Sequence, residues 1–531
     1  AVKLGTMSLI RRDMSVSLCC APRAHAPARA LPNGASCPDT AAEVTTAPAH
    51  GNKAPTMQDR QHHFIDGAWT PSRDGSPCEV VDPATEEAFA TIVLAGPRDV
   101  DAAVSAAAAA LPGWRATPPA DRSAALDRLL AAYDARAEDL AEAVSREMGA
   151  PIDWARRAQV PSGRANLAAI RAALDGFAFE ETLGKGAILA REPVGVAALI
   201  TPWNWPLNQI TLKVGAALAA GCTMVLKPSE IAPLSAMILM EAVDEAGLPP
   251  GVVNLVNGDG PGAGRALTAH PDVAMVSFTG STRAGRDIGR RAADTFKRVG
   301  LELGGKGANL VFADAAASAV RTGARRVFAN SGQSCNAPTR MLVERPAYAA
   351  AVDTAAAVAA ETRVGPSAEP GRHIGPLSGP AQFDRVQGFI DRAIADGARL
   401  VAGGPGRPEG LNRGFFARPT VFADVTNDME LAREEVFGPV LAILPFDTEA
   451  EAIAIANDNA YGLTHYVQTA DADRAARLAR ALHAGTVEIN GRPPPSGAPF
   501  GGVKASGIGR EGGAHGIAEF LEPKTISGWP S

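Results

Sequence analysis

The sequence predicts an α/β protein, a doubly wound parallel sheet followed by a second α/β domain. Three observations lead there. A chain of 531 residues, 46% hydrophobic and 20% charged, is too long for one ordinary core and should form two or more globular domains. From Gly195 apolar strands alternate with helices, four strand–helix units in about a hundred residues, which is the rhythm of a parallel sheet binding ligands at the carboxyl ends of its strands. A second alternation runs over residues 308–489, with no internal repeat between the two.

Taken in order, residues 1–56 are rich in Ala, Pro and Thr and carry a net charge of +3, a composition that cannot bury enough apolar surface to offset its ordering entropy. They read as a disordered tail; Met57 looks like a natural start, and a transit peptide is the alternative for the stretch from Met7. Residues 64–81 read as hairpin strands. Residues 100–110 and 121–148 carry helical patterns, the second opened by Pro118-Pro119 and closed by Gly149. Residues 183–193 read as an extended hairpin turning at Gly184-Lys185-Gly186, which interrupts the first domain, and the tail after about residue 520 is a candidate strand to pair with it.

Charge and cysteine usage exclude several classes. The formal charge of −6 includes no large basic block to meet nucleic acid, and no stretch approaches the roughly 18 apolar residues of a membrane span. Cys19, Cys20 and Cys37 fall in the tail, and Cys78, Cys222 and Cys335 lack metal-ligand or disulfide spacing, which fits a reducing, cytoplasmic setting and no metal. A lone cysteine is ordinarily a buried inert thiol, and Cys78 and Cys222 keep that reading.

Cys335 differs because of its company. Glu302-Leu303-Gly304-Gly305-Lys306 precedes Gly332-Gln333-Ser334-Cys335, so a carboxylate and a thiol stand on two glycine-softened segments. That is the minimum kit for covalent catalysis completed by hydrolysis. Asn204, in Thr201-Pro202-Trp203-Asn204-Trp205-Pro206 at a strand end, is either a helix N-cap or a neutral donor for an oxyanion. Lys227-Pro228-Ser229-Glu230 ends the next strand; its acid is either solvated or an acceptor for ribose hydroxyls that would repel a 2'-phosphate. Gly258-Asp259-Gly260-Pro261-Gly262-Ala263-Gly264 and Phe278-Thr279-Gly280-Ser281-Thr282-Arg283-Ala284-Gly285 lack the usual dinucleotide fingerprint, yet the helix start at Ser281 offers amides to a pyrophosphate. Glu434-Glu435-Val436-Phe437-Gly438-Pro439 alone would be a solvated acidic turn.

Together these motifs, with Pro499-Phe500-Gly501-Gly502-Val503-Lys504 and Ser506-Gly507-Ile508-Gly509-Arg510-Glu511, resemble in order those of the NAD(P)-dependent aldehyde dehydrogenase superfamily over residues 62–528. The resemblance implies an aldehyde dehydrogenase-like fold. A Rossmann-type NAD-binding domain would take residues 57–175 and 194–304, a catalytic domain 305–505, and a small β oligomerisation arm 176–193 and 506–531, forming a homodimer or homotetramer. It implies Cys335 as nucleophile, Glu302 as base for the water that hydrolyses the thioester, Asn204 as oxyanion donor, and Lys213 with Glu511 as a proton path. It places Trp203, Lys227, Glu230, Gly260, Gly264, Gly280, Ser281, Gly285, Leu303, Glu435 and Phe437 at the cofactor, NAD or, since Lys227 would tolerate a phosphate, NADP. Trp205 and Phe500 would line the substrate tunnel.

Two departures bear on the substrate: Trp205 where Phe is commoner, and Glu488 where a bulky apolar residue is often seen; the proline run in residues 491–495 sits where the family builds its substrate mouth. The competing readings are a coenzyme A-acylating semialdehyde dehydrogenase, against which Glu302 argues, and a cofactor-independent cysteine hydrolase, for which the nine histidines offer no obvious base near Cys335. A non-catalytic protein of the same fold would have lost the nucleophile.

Overall fold

In the computed structural model, which describes residues 59–529, five parallel strands run side by side in the order Arg298–Glu302, Val273–Thr279, Val196–Ile200, Thr223–Lys227, Val253–Leu255. The chain moves outward from Val196–Ile200 on one side and then returns to its other side with Val273–Thr279. The strand order therefore reverses there, and such a reversal opens a crevice at the carboxyl ends. Val196–Ile200 and Thr223–Lys227 are buried at every position, as strands covered on both faces must be, which is why they read as unbroken apolar runs. The hairpin His62–Ile65 and Ala68–Pro71 extends this sheet beyond Val253–Leu255, and Gly507–Ile508 closes the opposite edge antiparallel to Arg298–Glu302. A smaller sheet of Asp59–Arg60, Glu87–Leu94 and Ser76–Asp82 stands beside it.

The second sheet has seven strands, Arg399–Ala402, Thr420–Ala423, Val440–Phe446, Arg340–Glu344, Ala308–Val311, Thr464–Gln468 and Thr486–Ile489, parallel except for the first. Ala308–Val311 lies near its middle and leads through the helix Ala319–Phe328 to the segment bearing Cys335. A third sheet joins Leu521–Ser527, Ala187–Pro193 and Glu180–Gly184, all antiparallel.

Three details differ from the sequence reading or fall outside it. Residues 121–148 form two helices, Pro119–Ala135 and Ala137–Met148, because Arg136 leaves helical geometry at φ −108° and ψ 13°. No glycine or proline marks the break; the Arg136 side chain is drawn to the Ala132 carbonyl and to the carboxylates of Glu241 and Glu245. The arm's second segment begins at Leu521 and not at residue 506, since Gly507–Ile508 belongs to the first sheet and the helix Gly513–Glu519 packs on the helices Val160–Leu174 and Pro206–Ala220. The tail reading of residues 1–56 falls outside the described residues.

One buried acid pins the helices around the first sheet. Glu147, inside Ala137–Met148, accepts the backbone N–H groups of Leu234 at 2.6 Å and Ser235 at 3.3 Å as well as the Ser235 hydroxyl at 2.5 Å. It thus caps Leu234–Glu245 from a neighbouring helix, supplying the acceptor that the helix's own Pro233 cannot. Full burial raises its pKa to about 7 against these lowering bonds. Glu147→Ala leaves three buried donors unpaired and a cavity behind, so it should cost on the order of 3 kcal/mol. The check is a drop of several degrees in the calorimetric unfolding midpoint.

Candidate active site

Two glycines bring the separate motifs together. Gly305 lies so close to the Cys335 backbone that an added Cβ would stand 2.3 Å from the Cys335 carbonyl oxygen, and one on Gly304 would stand 2.4 Å from a carboxylate oxygen of Glu435. The Gly305 N–H donates to Glu435 Oε1 at 2.9 Å. The end of Arg298–Glu302 is thereby set directly against both the thiol segment and the second acid. No side chain larger than hydrogen fits at either position.

Asn204 reaches the same place from the strand Val196–Ile200. Its Nδ2 donates to the Gln333 carbonyl at 3.0 Å, two residues before Cys335, and the side chain is buried. The helix Pro206–Ala220 takes its start at Trp205 and has no side-chain cap, so Asn204 is not its N-cap. The donor is held from behind: Gln159 Nε2 donates to the Asn204 carbonyl at 3.2 Å and to Asn330 Oδ1 at 3.1 Å, and Asn330 Nδ2 donates to the same carbonyl at 3.1 Å. Asn330 and Ser331 adopt left-handed φ of 53° and 56°, which turns the chain out of Ala319–Phe328 toward Cys335. Trp205 donates its indole N–H to Ser334 Oγ at 2.8 Å and meets Trp154 edge-on at 6.2 Å, so it stands against the residue that precedes the thiol.

Glu302 is 4% exposed, and neither of its carboxylate oxygens has a hydrogen-bond partner among the described residues. Burial raises its pKa well above the usual carboxylate range; Glu511 adds to the rise, while Lys213 and Arg510 pull against it. Such a carboxylate is a strong base when ionised. It lines a cavity shared with Leu212, Ser277, Gly300, Arg510 and Glu511. Lys213, wholly buried, hydrogen bonds to Glu511, so of the three groups implied as a proton path two line this cavity and the third is joined to it through Glu511. Gly501 adopts φ +151° there, and a Cβ on it would fall 2.5 Å from Glu302 Oε1. Phe500 pairs with Glu511 through both backbone hydrogen bonds at 2.8 Å, so its backbone lies beside a residue of that cavity wall, and its side chain is half-buried.

The Cys335 thiol is pushed up to about 12 by burial and by the charges of Glu435 and Glu302; the Asn336 and Cys335 amides pull it down. Glu435 is itself raised to about 7 by burial, against the Gly305 N–H and the charges of Arg385 and Lys306. A cation placed between these groups would lower the thiol and both acids together.

The expected cofactor residues gather along the carboxyl ends of the first sheet. Ser281 caps Thr282–Ala293, its Oγ accepting the Ala284 N–H at 3.3 Å, which leaves the first-turn amides for an anion. A Cβ on Gly280 would meet the Phe278 ring at 2.4 Å, and one on Gly285 would meet Leu303 at 2.5 Å, so both glycines serve close packing of this helix start. Gly260–Gly264 forms a π-helical turn after Val253–Leu255, with the Gly262 N–H donated to Asp259 Oδ1 at 2.6 Å. Trp203 meets Phe437 edge-on at 5.5 Å and 85°, joining the two sheets across the crevice.

Lys227 is tied down. Its ammonium is buried and donates to the carbonyls of Pro228 at 2.7 Å and Gly258 at 2.6 Å, with Glu230 4.0 Å away. Burial lowers its pKa. It is spent on tying one strand end to the next loop instead of standing free to meet a phosphate. Glu230 is half-exposed and faces the crevice end, and its like charge reaches Cys78. Glu488, the departure from a commonly apolar position, is buried and paired with Arg326.

Sequence reasoning missed Gln159, Asn330 and Arg510. Asn330 lies only two residues before the Gly332-Gln333-Ser334-Cys335 motif and was within reach of that signal. Gln159 carries none, since its partners are 45 and 171 residues away. Arg510 Nη1 holds the carbonyls of Gly502 at 2.9 Å and Gly509 at 2.6 Å, closing the loop over Glu302. Among the described residues no group of three or more His, Cys, Asp or Glu side chains is placed to hold a metal ion, and no helix is long and apolar enough to cross a membrane.

The chain resembles known proteins in sequence and fold. The model of the aldehyde dehydrogenase family matches residues 69–526. The chain is 48% identical over 475 residues to a 3-succinoylsemialdehyde-pyridine dehydrogenase of a Pseudomonas species, covering 89% of this chain and 99% of that one. Among solved structures, an aldehyde dehydrogenase of Bartonella henselae superimposes with a TM-score of 0.88 at 52% identity, over 89% of this chain and 100% of its own. Aldehyde dehydrogenase C of Pseudomonas syringae, a mutant complexed with NAD+ and octanal, does so at 0.87 and 49%, over 88% and 97%.

Proposed function

The chain belongs to the aldehyde dehydrogenase family, oxidoreductases acting on the aldehyde group of donors, and from that premise we propose that it oxidises an aldehyde to a carboxylic acid with NAD through a covalent intermediate on Cys335. The observation that supports the reading is the close approach of Gly304 to Glu435 and of Gly305 to the Cys335 backbone, with Glu302 two residues before Gly304 and the Asn204 amide on the Gln333 carbonyl.

The crevice fits the cofactor. The Ser281-capped helix start would receive the pyrophosphate, with Gly280 and Gly285 packing that helix start closely and Gly260 and Gly264 in the neighbouring loop. Glu230 accepts the adenosine ribose hydroxyls, Glu435 the nicotinamide ribose, and Trp203, Leu303 and Phe437 bound the ring's slot. NAD, when bound, supplies the hydride acceptor and a positive ring beside the thiol. The amine of Lys227, held by two carbonyls, and the half-exposed carboxylate of Glu230 beside it favour NAD over NADP.

The rest is done by this chain's side chains. Cys335 Sγ attacks the aldehyde carbon, and the oxygen that becomes negative is held by Asn204 Nδ2 and a backbone amide, donors worth on the order of 3 kcal/mol each. Once the hydride has left that carbon, a thioester remains on Cys335. Glu302 takes a proton from water as the water attacks the thioester carbon, Cys335 leaves as thiolate, and the proton passes by way of Glu511 and Lys213. Glu302 thereby supports hydrolysis over transfer to coenzyme A. Trp205 and Phe500 bound the aldehyde. The three-stranded arm, whose strand Glu180–Gly184 is exposed throughout, supports assembly as a homodimer or homotetramer, and the thiol-based site suits the cytoplasm.

The test is a panel of aliphatic, aromatic and semialdehyde substrates run with each dinucleotide. The expected result is aldehyde-dependent NADH formation with kcat/KM for NAD at least about tenfold above that for NADP, the discrimination of one misplaced charge. Equal or better use of NADP would remove Glu230 from its role.

A further inference from the structure

The segment that carries Cys335 is irregular, and something must hold it. Nine residues before the thiol, Arg326 leaves the helix Ala319–Phe328 and grips the buried carboxylate of Glu488, Nη1 to Oε2 at 2.6 Å and Nη2 to Oε1 at 2.8 Å. One residue after the thiol, the Asn336 carbonyl accepts the phenolic hydrogen of Tyr466. The two attachments are one assembly. The Arg326 guanidinium lies over the Tyr466 ring, 4.5 Å from its centroid, and Tyr466 and Glu488 are register partners on the neighbouring strands Thr464–Gln468 and Thr486–Ile489.

A buried ion pair is a poor way to gain stability, because apolar side chains of the same volume do as well without the desolvation cost. Its gain is geometry: two parallel hydrogen bonds fix the plane of a guanidinium, and the stacked guanidinium fixes the ring beneath it. A cavity lined by Thr322, Arg326, Pro338, Gln468 and Asn490 borders Tyr466, so on that side the ring is held by Arg326 more than by packing. Between the two anchors the chain passes through the left-handed residues Asn330 and Ser331, where no helix or strand ladder sets its position.

We propose that Arg326, Glu488 and Tyr466 are positioning residues that brace the nucleophile segment at both ends, holding the Cys335 thiol in register with Asn204 and Glu302. The proposal rests on the covalent role of Cys335. Glu488 is then part of the reaction's scaffold.

The test follows alkylation of the full chain by iodoacetamide across pH, read on the Cys335 peptide by mass spectrometry, together with the pre-steady-state NADH burst. Tyr466→Phe removes one oxygen and is the variant least able to disturb folding; Arg326→Met removes the guanidinium, and Arg326→Lys returns the charge without the fork. Tyr466→Phe and Arg326→Met should each slow both Cys335 alkylation and the burst by about fivefold to tenfold, the weight of one hydrogen bond. Arg326→Lys should recover part of the loss, while the NAD dissociation constant and the melting temperature of Tyr466→Phe stay at wild-type values. Wild-type alkylation and burst rates in Tyr466→Phe and Arg326→Met overturn the brace, as does a loss in Arg326→Met that Tyr466→Phe does not share. If Cys335→Ala still forms NADH, the covalent reading itself fails and the brace with it; the alkylation rates separate the two failures.

Discussion

Cys335→Ala is expected to abolish aldehyde-dependent NADH formation, a loss on the order of a thousandfold or more, while NAD still binds with its wild-type affinity. No other group in the crevice can replace the thiol. Glu302 and Glu435 are carboxylates whose raised pKa values make them bases and not carbon nucleophiles, and the other cysteines in the described residues are Cys78 on an outer strand and Cys222 buried beneath the first sheet. Cys222 is held up at about 11 by full burial, against weak help from backbone amides, and hydrogen bonds to the Phe520 carbonyl, so it is an inert core thiol. The measurement is single-turnover absorbance at the NADH band with saturating dinucleotide. Retained turnover by the alanine variant would end the covalent mechanism.

Glu302→Gln should separate the two halves of the reaction. The first NADH forms in a burst of nearly one equivalent per site, and the steady state then falls by about a hundredfold to a thousandfold, the range of a lost general base. The pH dependence carries the sign. Because burial and Glu511 raise the Glu302 carboxyl, it is protonated and idle at low pH, and wild-type steady-state turnover climbs as pH rises through that raised pKa. The glutamine variant loses this limb. It also loses one of the two charges that hold the Cys335 thiol up, so the pH profile of Cys335 alkylation should move toward lower pH. A steady state equal to wild type, or an alkylation profile that does not move, would take Glu302 out of the site.

The loss of either residue is expected to spare the fold, and the contrast with Glu147 shows why. The Glu302 carboxylate accepts no hydrogen bond from the described residues, so replacing its charge removes a burial cost, whereas Glu147 satisfies three donors from another helix. One buried glutamate is poised for chemistry and the other is a joint.

Most of the parallel-sheet rhythm was legible because strands buried on both faces are written as continuous apolar runs, and because the helices between them open on proline or serine. The break at Arg136 was not, since its cause is contact with Glu241 and Glu245, more than a hundred residues on. The assignment of residues 506–520 to the arm failed for a related reason. Gly507–Ile508 is too short to announce a strand, and only the exposed edge of Arg298–Glu302 gives it a partner.

The site divides in the same way. By itself the sequence determined the chemical kit, a thiol, a carboxylate, an amide donor, a helix start with a hydroxyl cap and glycines in the segments between, because residue types and their local order are enough to specify which reactions the chain has the groups to perform. The tertiary structure decided how each group is used. It brought Gly304 and Gly305 against Glu435 and Cys335, buried Glu302 without a partner, spent the Lys227 amine on two carbonyls, and made Glu488 half of an ion pair. The physical reason is common to all four. Burial, desolvation and hydrogen-bond competition depend on atoms supplied by segments distant along the chain, such as Glu435 meeting Gly305 across 130 residues, and they exist only after the two sheets have packed.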